Sequence, residues 1–178
     1  LLIYVMPLGL RPLFTPDETR YAEIPREMRA SGDWVVPRFN GLLYFEKPVL
    51  GYWLNAIAQD LFGETAFAVR LPSALAAGLS VLSILLLMGR RRKEDSDAAL
   101  IAAGLFLVCP LVFICGTYAV LDGPFSAFFT LAMALFFRGS VEESPVRKRW
   151  FYAGFGVASG LAFLTKGLLG FALPVLVI

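Results

Sequence analysis

The sequence contains no histidine. A Ser–His–Asp triad and a histidine-ligated zinc are both excluded within these residues. Cysteine is nearly absent too. Cys109 and Cys115 lie in an apolar run, without the CxxC spacing of a metal or redox pair. Charge is scarce, at 17% of residues, where an average soluble domain has about 25%. Any acid, base or metal ligand must come from Asp, Glu, Lys, Arg or Tyr. What is abundant is apolar, 58% by residue type, with a mean hydropathy of +0.70. No single water-facing surface hides that excess, so a soluble single domain, a disordered tail and a basic nucleic-acid binder are excluded. The expected class is an all-α, polytopic integral membrane protein. The net charge of +2 decides nothing, because the placement of the charges matters more than their sum.

A spanning helix needs about 20 mostly apolar residues. The sequence offers such stretches at 67–88, 98–115, 118–137 and 150–166, with partial ones at 1–14 and 168–178. Both ends fall inside apolar runs, so the chain is expected to be the N-terminal part of a longer membrane domain. Leu1–Leu10 lacks the basic start and cleavage site of a signal peptide. The basic loops Arg90-Arg91-Arg92-Lys93 and Arg138 with Arg147-Lys148-Arg149 are expected in the cytoplasm by the positive-inside rule. Alternation then places an outer loop over 15–66, the turn 116–123 and the turn at Lys166 together on the other face.

The segment Arg11–Glu64 carries eight acidic and six basic residues. Thr15-Pro16-Asp17-Glu18 reads as a helix start, with Thr15 as N-cap, Pro16 at the first position and Glu18 closing a capping box. Tyr21, Ile24 and Met28 share a face, which predicts an amphipathic helix on the bilayer surface, shortened by Pro25. Ala30-Ser31-Gly32-Asp33 ends it, and 35–45 reads as an extended, turned link. Pro48–Phe62 is too short to span. It predicts a buried, re-entrant or interfacial helix with Pro48 in its first turn and Gly63 as its C-terminal cap. If it did span, the outer-face placement of 11–47 would fail.

Four motifs could carry chemistry, and each has a plain alternative. Asp17-Glu18-Thr19-Arg20 could simply favour a helix dipole; as a site it sets an acid beside a base at the membrane surface. Tyr44-Phe45-Glu46-Lys47 could be an exposed charged pair with aromatics at headgroup level; as a site, Glu46 offers an oxygen to a hard divalent cation and Lys47 a point charge to a phosphate. Asp122 is the only charged residue between Asp97 and Arg138. It could be an N-cap before Gly123-Pro124, but an acid at such a place is costly and usually functional. Lys166 could snorkel at a helix end or bind a phosphate. Arg70 reads as a snorkelling anchor, and the two cysteines as packing residues. Together these groups suit transfer of a substituent carried on a lipid phosphate: a carboxylate positions or deprotonates an acceptor, and cations stabilise the leaving phosphate. A rival reading is a transporter or flippase segment, although transporters place key charges near mid-membrane. A third is a structural subunit without a site.

Pro16–Met28, Ser31-Gly32-Asp33-Trp34, Tyr44–Pro48 and Gly51-Tyr52-Trp53-Leu54 closely resemble the aminoarabinose transferase family, bacterial GT-C membrane glycosyltransferases related to protein O-mannosyltransferases. Leu121–Pro124 and Leu164–Gly167 resemble motifs of that family's later outer loops. The resemblance implies a GT-C type fold with amphipathic juxtamembrane helices in the first outer loop. It implies an inverting transfer, on the periplasmic face of the bacterial inner membrane, from a polyprenyl-phosphate donor. The expected sugar is 4-amino-4-deoxy-L-arabinose and the expected acceptor lipid A. Other sugars, protein or glycan acceptors and a protein O-mannosyltransferase-like activity stay open. Carried over by position, the resemblance implies that Asp17 and Asp122 are the catalytic acids. Arg20, Lys47, Lys166 and Tyr44 hold the donor phosphate. Glu46 is a metal-site acid for magnesium, manganese or zinc. Asp122 departs from the family's frequent Asp-Pro, and a phosphate acceptor would need no general base.

Overall fold

The structure is a computed structural model that describes residues 2–88 and 93–178. Arg90–Arg92 and the side chain of Lys93, expected in a cytoplasmic loop, lie outside the described residues. Among the described residues, nine helices and one hairpin follow in order: α1 (Leu2–Val5), α2 (Asp17–Ser31), β1 (Arg38–Phe39), β2 (Leu42–Leu43), α3 (Leu50–Phe62), α4 (Ala66–Met88), α5 (Lys93–Val108), α6 (Pro110–Thr117), α7 (Asp122–Ser140), α8 (Pro145–Lys166) and α9 (Leu169–Val177).

Among the described residues, α4 alone is both long and apolar enough to cross a bilayer by itself. Residues 96–117 pass only as a pair, bent by 66° between α5 and α6. Pro110 explains the bend: it has no N–H and clashes with the preceding turn, so α5 stops at Val108. The continuous helix expected over 98–115 is thus a broken one. Helices α7 and α8 have 19 and 22 residues with their charges toward the ends. Helix α7 starts at Asp122 instead of Tyr118, and α8 starts earlier than expected, at Pro145. The N-terminal run 1–14 is not one helix, since α1 ends at Val5 and turns follow.

Helix α7 packs against both α4 and α8, and α9 folds back on α8. Small residues make the approach close: Ala74 and Ala77 on α4, Ala127 and Ala134 on α7, Ala158 and Ala162 on α8 are all buried. Gly170 shows the limit, because a Cβ there would stand 2.2 Å from the Phe163 backbone nitrogen. Asp122 and Lys166 sit at one end of the α7–α8 pair, and Arg138 and Arg147–Arg149 at the other.

Helices α2 and α3 and the hairpin cover the end of the bundle that holds Asp122. Ile24, Met28 and Tyr52 form a buried cluster, flanked by Tyr21, Phe39, Tyr44 and Trp53. The apolar face of α2 is therefore covered by α3 and the hairpin, not by lipid. Nor does Pro25 shorten α2. Pro25 leaves the Tyr21 carbonyl without its helical donor, and Asn55 Nδ2 of α3 donates to that oxygen at 3.3 Å. Gln59 Nε2 donates to the next carbonyl, Ala22, at 3.0 Å. The helix ends on Gly32 at a φ of 72°, a left-handed conformation that favours glycine. Asn40 and Gly41 both have positive φ, 52° and 76°, which gives the turn that matches strand twist in a two-residue hairpin loop. Helix α3 ends on Gly63 as expected, but it starts at Leu50, so Pro48 precedes the first turn.

Candidate functional site

Helix α2 has no side-chain cap. Pro16 stands at its N-cap, and Thr15 does not fill that role. Asp17 and Arg20 are one turn apart and pair at 2.6 Å. Arg20 Nη1 also donates to the Tyr44 hydroxyl at 3.0 Å and reaches Glu46 at 3.4 Å. The Tyr44 hydroxyl in turn donates to Glu46. Lys47 Nζ lies 3.5 Å from the same carboxylate. The Tyr44 hydrogen bond holds the Glu46 carboxyl below its usual range against partial burial, with help from Lys47 and Arg20. Asp17, Arg20, Tyr44, Glu46 and Lys47 thus form one cluster. It is built by the first turn of α2 and the strand-to-helix link before α3.

Asp122 and Lys166 form the second group. Lys166 Nζ bonds Asp122 Oδ1 at 2.5 Å and lies 5.5 Å from the Phe125 ring. Asp122 is not an N-cap; it is the first residue of α7, and its side chain, 57% exposed, reaches across to the end of α8. Both groups meet the start of α3. A Cβ on Gly51 would stand 2.1 Å from Leu121, the residue before Asp122. One on Gly167, the residue after Lys166, would stand 3.8 Å from Pro48. The four motifs are drawn to one end of the bundle.

Beneath them lies an ion pair that the sequence did not suggest. Arg70 of α4 is completely buried and bonds Glu18 through both Nε and Nη2, each at 2.7 Å. Burial pushes the Glu18 carboxyl up, but the Arg70 hydrogen bonds and the N–H groups of Ala119 and Phe14 together hold it below its usual value. Arg70 is therefore not a snorkelling anchor, and Glu18 closes no capping box with Thr15. The available signal was a charge a single turn into an apolar helix, which is costly unless paired. Arg11 is a further residue that was missed. It donates to the Thr117 carbonyl at 2.7 Å and stacks on Tyr118 at 3.7 Å.

Among the described residues no three acidic, cysteine or histidine side chains cluster as a metal site. Glu46 supplies a single carboxylate facing two cations, so a cation held there would take its other ligands from outside this set. Away from the charges, α3, α4 and α7 enclose an apolar groove of about 600 Å³, lined by Leu54, Ile57, Leu61, Leu75 and Phe128 among others.

Comparison with known proteins gives consistent matches. The family model described as dolichyl-phosphate-mannose-protein mannosyltransferase matches residues 1–178. An undecaprenyl phosphate-alpha-4-amino-4-deoxy-L-arabinose arabinosyl transferase of Aeromonas salmonicida is 50% identical over 183 residues, which cover 100% of this chain and 32% of the relative. A second such enzyme, from Sodalis glossinidius, is 47% identical over 175 residues, covering 98% and 32%. Crystal structures of ArnT from Cupriavidus metallidurans, in the apo state and bound to undecaprenyl phosphate, align with a TM-score of 0.91 at 34% identity. Each alignment covers 97% of this chain and 32% of the crystallised one. The chain thus spans about a third of the length of the relatives it matches.

Proposed function

Because this chain belongs to the dolichyl-phosphate-mannose-protein mannosyltransferase family, we propose that it builds the donor-phosphate side of a membrane glycosyltransferase. The enzyme moves 4-amino-4-deoxy-L-arabinose from undecaprenyl phosphate to lipid A on the periplasmic face of the inner membrane. The relatives at 46–50% identity carry that sugar and that carrier in their names. The observation that carries the reading is the convergence of Arg20, Lys47 and the Asp122–Lys166 pair on the start of α3.

The chemistry follows from the charges. The acceptor oxygen attacks the anomeric carbon of the sugar as the bond from that carbon to the phosphate oxygen breaks. The leaving polyprenyl phosphate gains negative charge, which fixed cations stabilise best when they need not reorganise. Arg20 is fixed in this way by Asp17, Tyr44 and Glu46, while Lys47 stays partly exposed at the same carboxylate. Asp17 orients Arg20, and Asp122 holds Lys166 at the rim where the acceptor approaches. A lipid A phosphate is already ionised and loses no proton to either acid. The apolar groove beside α3 supplies a surface for isoprenoid units. A divalent cation bound through Glu46 would add positive charge at the leaving phosphate.

The test is transfer of radiolabelled sugar from polyprenyl carrier by the full-length protein. Asp17→Ala and Lys47→Ala should each lower transfer by about a hundredfold or more, with membrane insertion unchanged. Transfer at the wild-type rate in both variants would remove this assignment.

A further inference from the structure

The Glu18–Arg70 pair bonds none of the charged side chains of the two clusters; apart from each other, its partners are all backbone groups. We propose that it is a positioning clamp: one buried carboxylate holds the Asp17–Arg20 turn in register with the Asp122 corner. The inference rests on the glycosyltransferase reading above.

The geometry is saturated. Arg70 has five N–H donors, and all five are used. Two go to Glu18, and the others to the carbonyls of Leu8 at 2.6 Å, Arg11 at 2.9 Å and Pro12 at 2.8 Å. Glu18 is equally occupied. Its Oε1 accepts from Arg70 and from the Ala119 N–H at 2.9 Å; its Oε2 accepts from Arg70 and from the Phe14 N–H at 2.8 Å. Four segments therefore meet at one carboxylate and one guanidinium: the link before α2, the first turn of α2, the first turns of α4, and the loop between α6 and α7. Asp17 is the neighbour of Glu18, and Asp122 follows Ala119 by three residues. Glu18 thus ties the segments of both acids. Arg11 adds a parallel strap to the same loop through Thr117 and Tyr118.

A buried ion pair is a poor way to gain stability, because an apolar pair of similar volume often serves as well. A fully satisfied buried network does specify geometry. A reaction that joins groups on separate loops is sensitive to misplacement of about an ångström. The expected defect therefore falls on turnover, not on capture of the donor, whose phosphate cations Arg20 and Lys47 belong to one cluster.

The test uses full-length protein in detergent or nanodiscs and two variants. Glu18→Leu with Arg70→Met removes both charges together, so neither is stranded. Glu18→Gln keeps an oxygen for the Ala119 N–H. Two readouts are taken: kcat and KM for the polyprenyl-phosphate sugar, and amide exchange over residues 116–121. The double variant should show a roughly hundredfold lower kcat, a donor KM within threefold of wild type, and faster exchange confined to 116–121. Glu18→Gln should recover part of both. Faster exchange with unchanged kcat would overturn the proposal and leave the pair a packing element. Unchanged exchange would overturn the tie itself. If the double variant does not fold, Glu18→Gln alone decides by the same two readouts. Lys47→Ala is run in parallel: retained transfer there defeats the glycosyltransferase reading, while the exchange measurement still reports on the clamp.

Discussion

Arg70 is the residue whose loss the structure expects to be felt most. Substituting Met for Arg70 alone leaves the Glu18 carboxylate buried without its counter-ion. That should lower stability by about 3–5 kcal/mol, read as a fall in the midpoint of thermal unfolding in detergent. The pH dependence has a defined sign. Glu18 is held below its usual value in the folded protein, so the unfolded state binds protons first as pH falls. The stabilisation is complete above the unfolded carboxylate value of about 4.3 and is lost as pH falls through the lower folded value. Glu18→Gln should flatten this acid limb, and an unchanged limb would show that Glu18 does not cause it. Glu46 shifts in the same direction but is half-exposed, so its share is smaller. Much of the candidate site is legible residue by residue, because Asp17, Glu46, Asp122 and Lys166 stand out as charges beside apolar runs. Arg70 and Glu18 were not, because each has a sufficient local explanation, snorkelling and capping. Their pairing spans 52 residues of sequence, and no local pattern encodes it.

At the scale of elements, α9 depends on close backbone approach to α8. Gly170→Ala would drive a methyl into the backbone of Phe163 and Ala162. It should cost about 1–3 kcal/mol or more and loosen α9 from α8. Gly160→Ala, with open space around its Cβ, is the matched control and should cost nothing. Equal melting of the two variants would contradict the α8–α9 packing described here. The α2 helix shows how far periodicity carries. Tyr21, Ile24 and Met28 do share a buried face, but periodicity identifies a face without naming what covers it. Tyr52 and Trp53 of α3 cover it here. Pro25 was misleading for the same reason: its lost hydrogen bond is replaced by Asn55, which lies on another helix.

At the scale of the whole molecule, the chain has a multi-pass membrane fold of the GT-C type, as its motifs implied. Its backbone follows the arabinosyl transferase crystal structures at a TM-score of 0.91. Composition gave the class, and charge placement gave the two ends of the bundle: Arg138 and Arg147–Arg149 lie opposite Asp122 and Lys166. Span boundaries were less legible, because Pro110 breaks one apolar run and Asp122 delays another. On the proposed function, the charges gathered at the start of α3 act on one lipid-linked sugar phosphate. The decisive measurement is mass spectrometry of lipid A from cells lacking their own arabinosyl transferase and expressing the full-length protein. Wild type should add an aminopentose to a lipid A phosphate, and Lys47→Ala and Asp17→Ala, expressed at equal level, should not. Unmodified lipid A with wild type, or equal modification in all three, would show that these charges do not act on that donor.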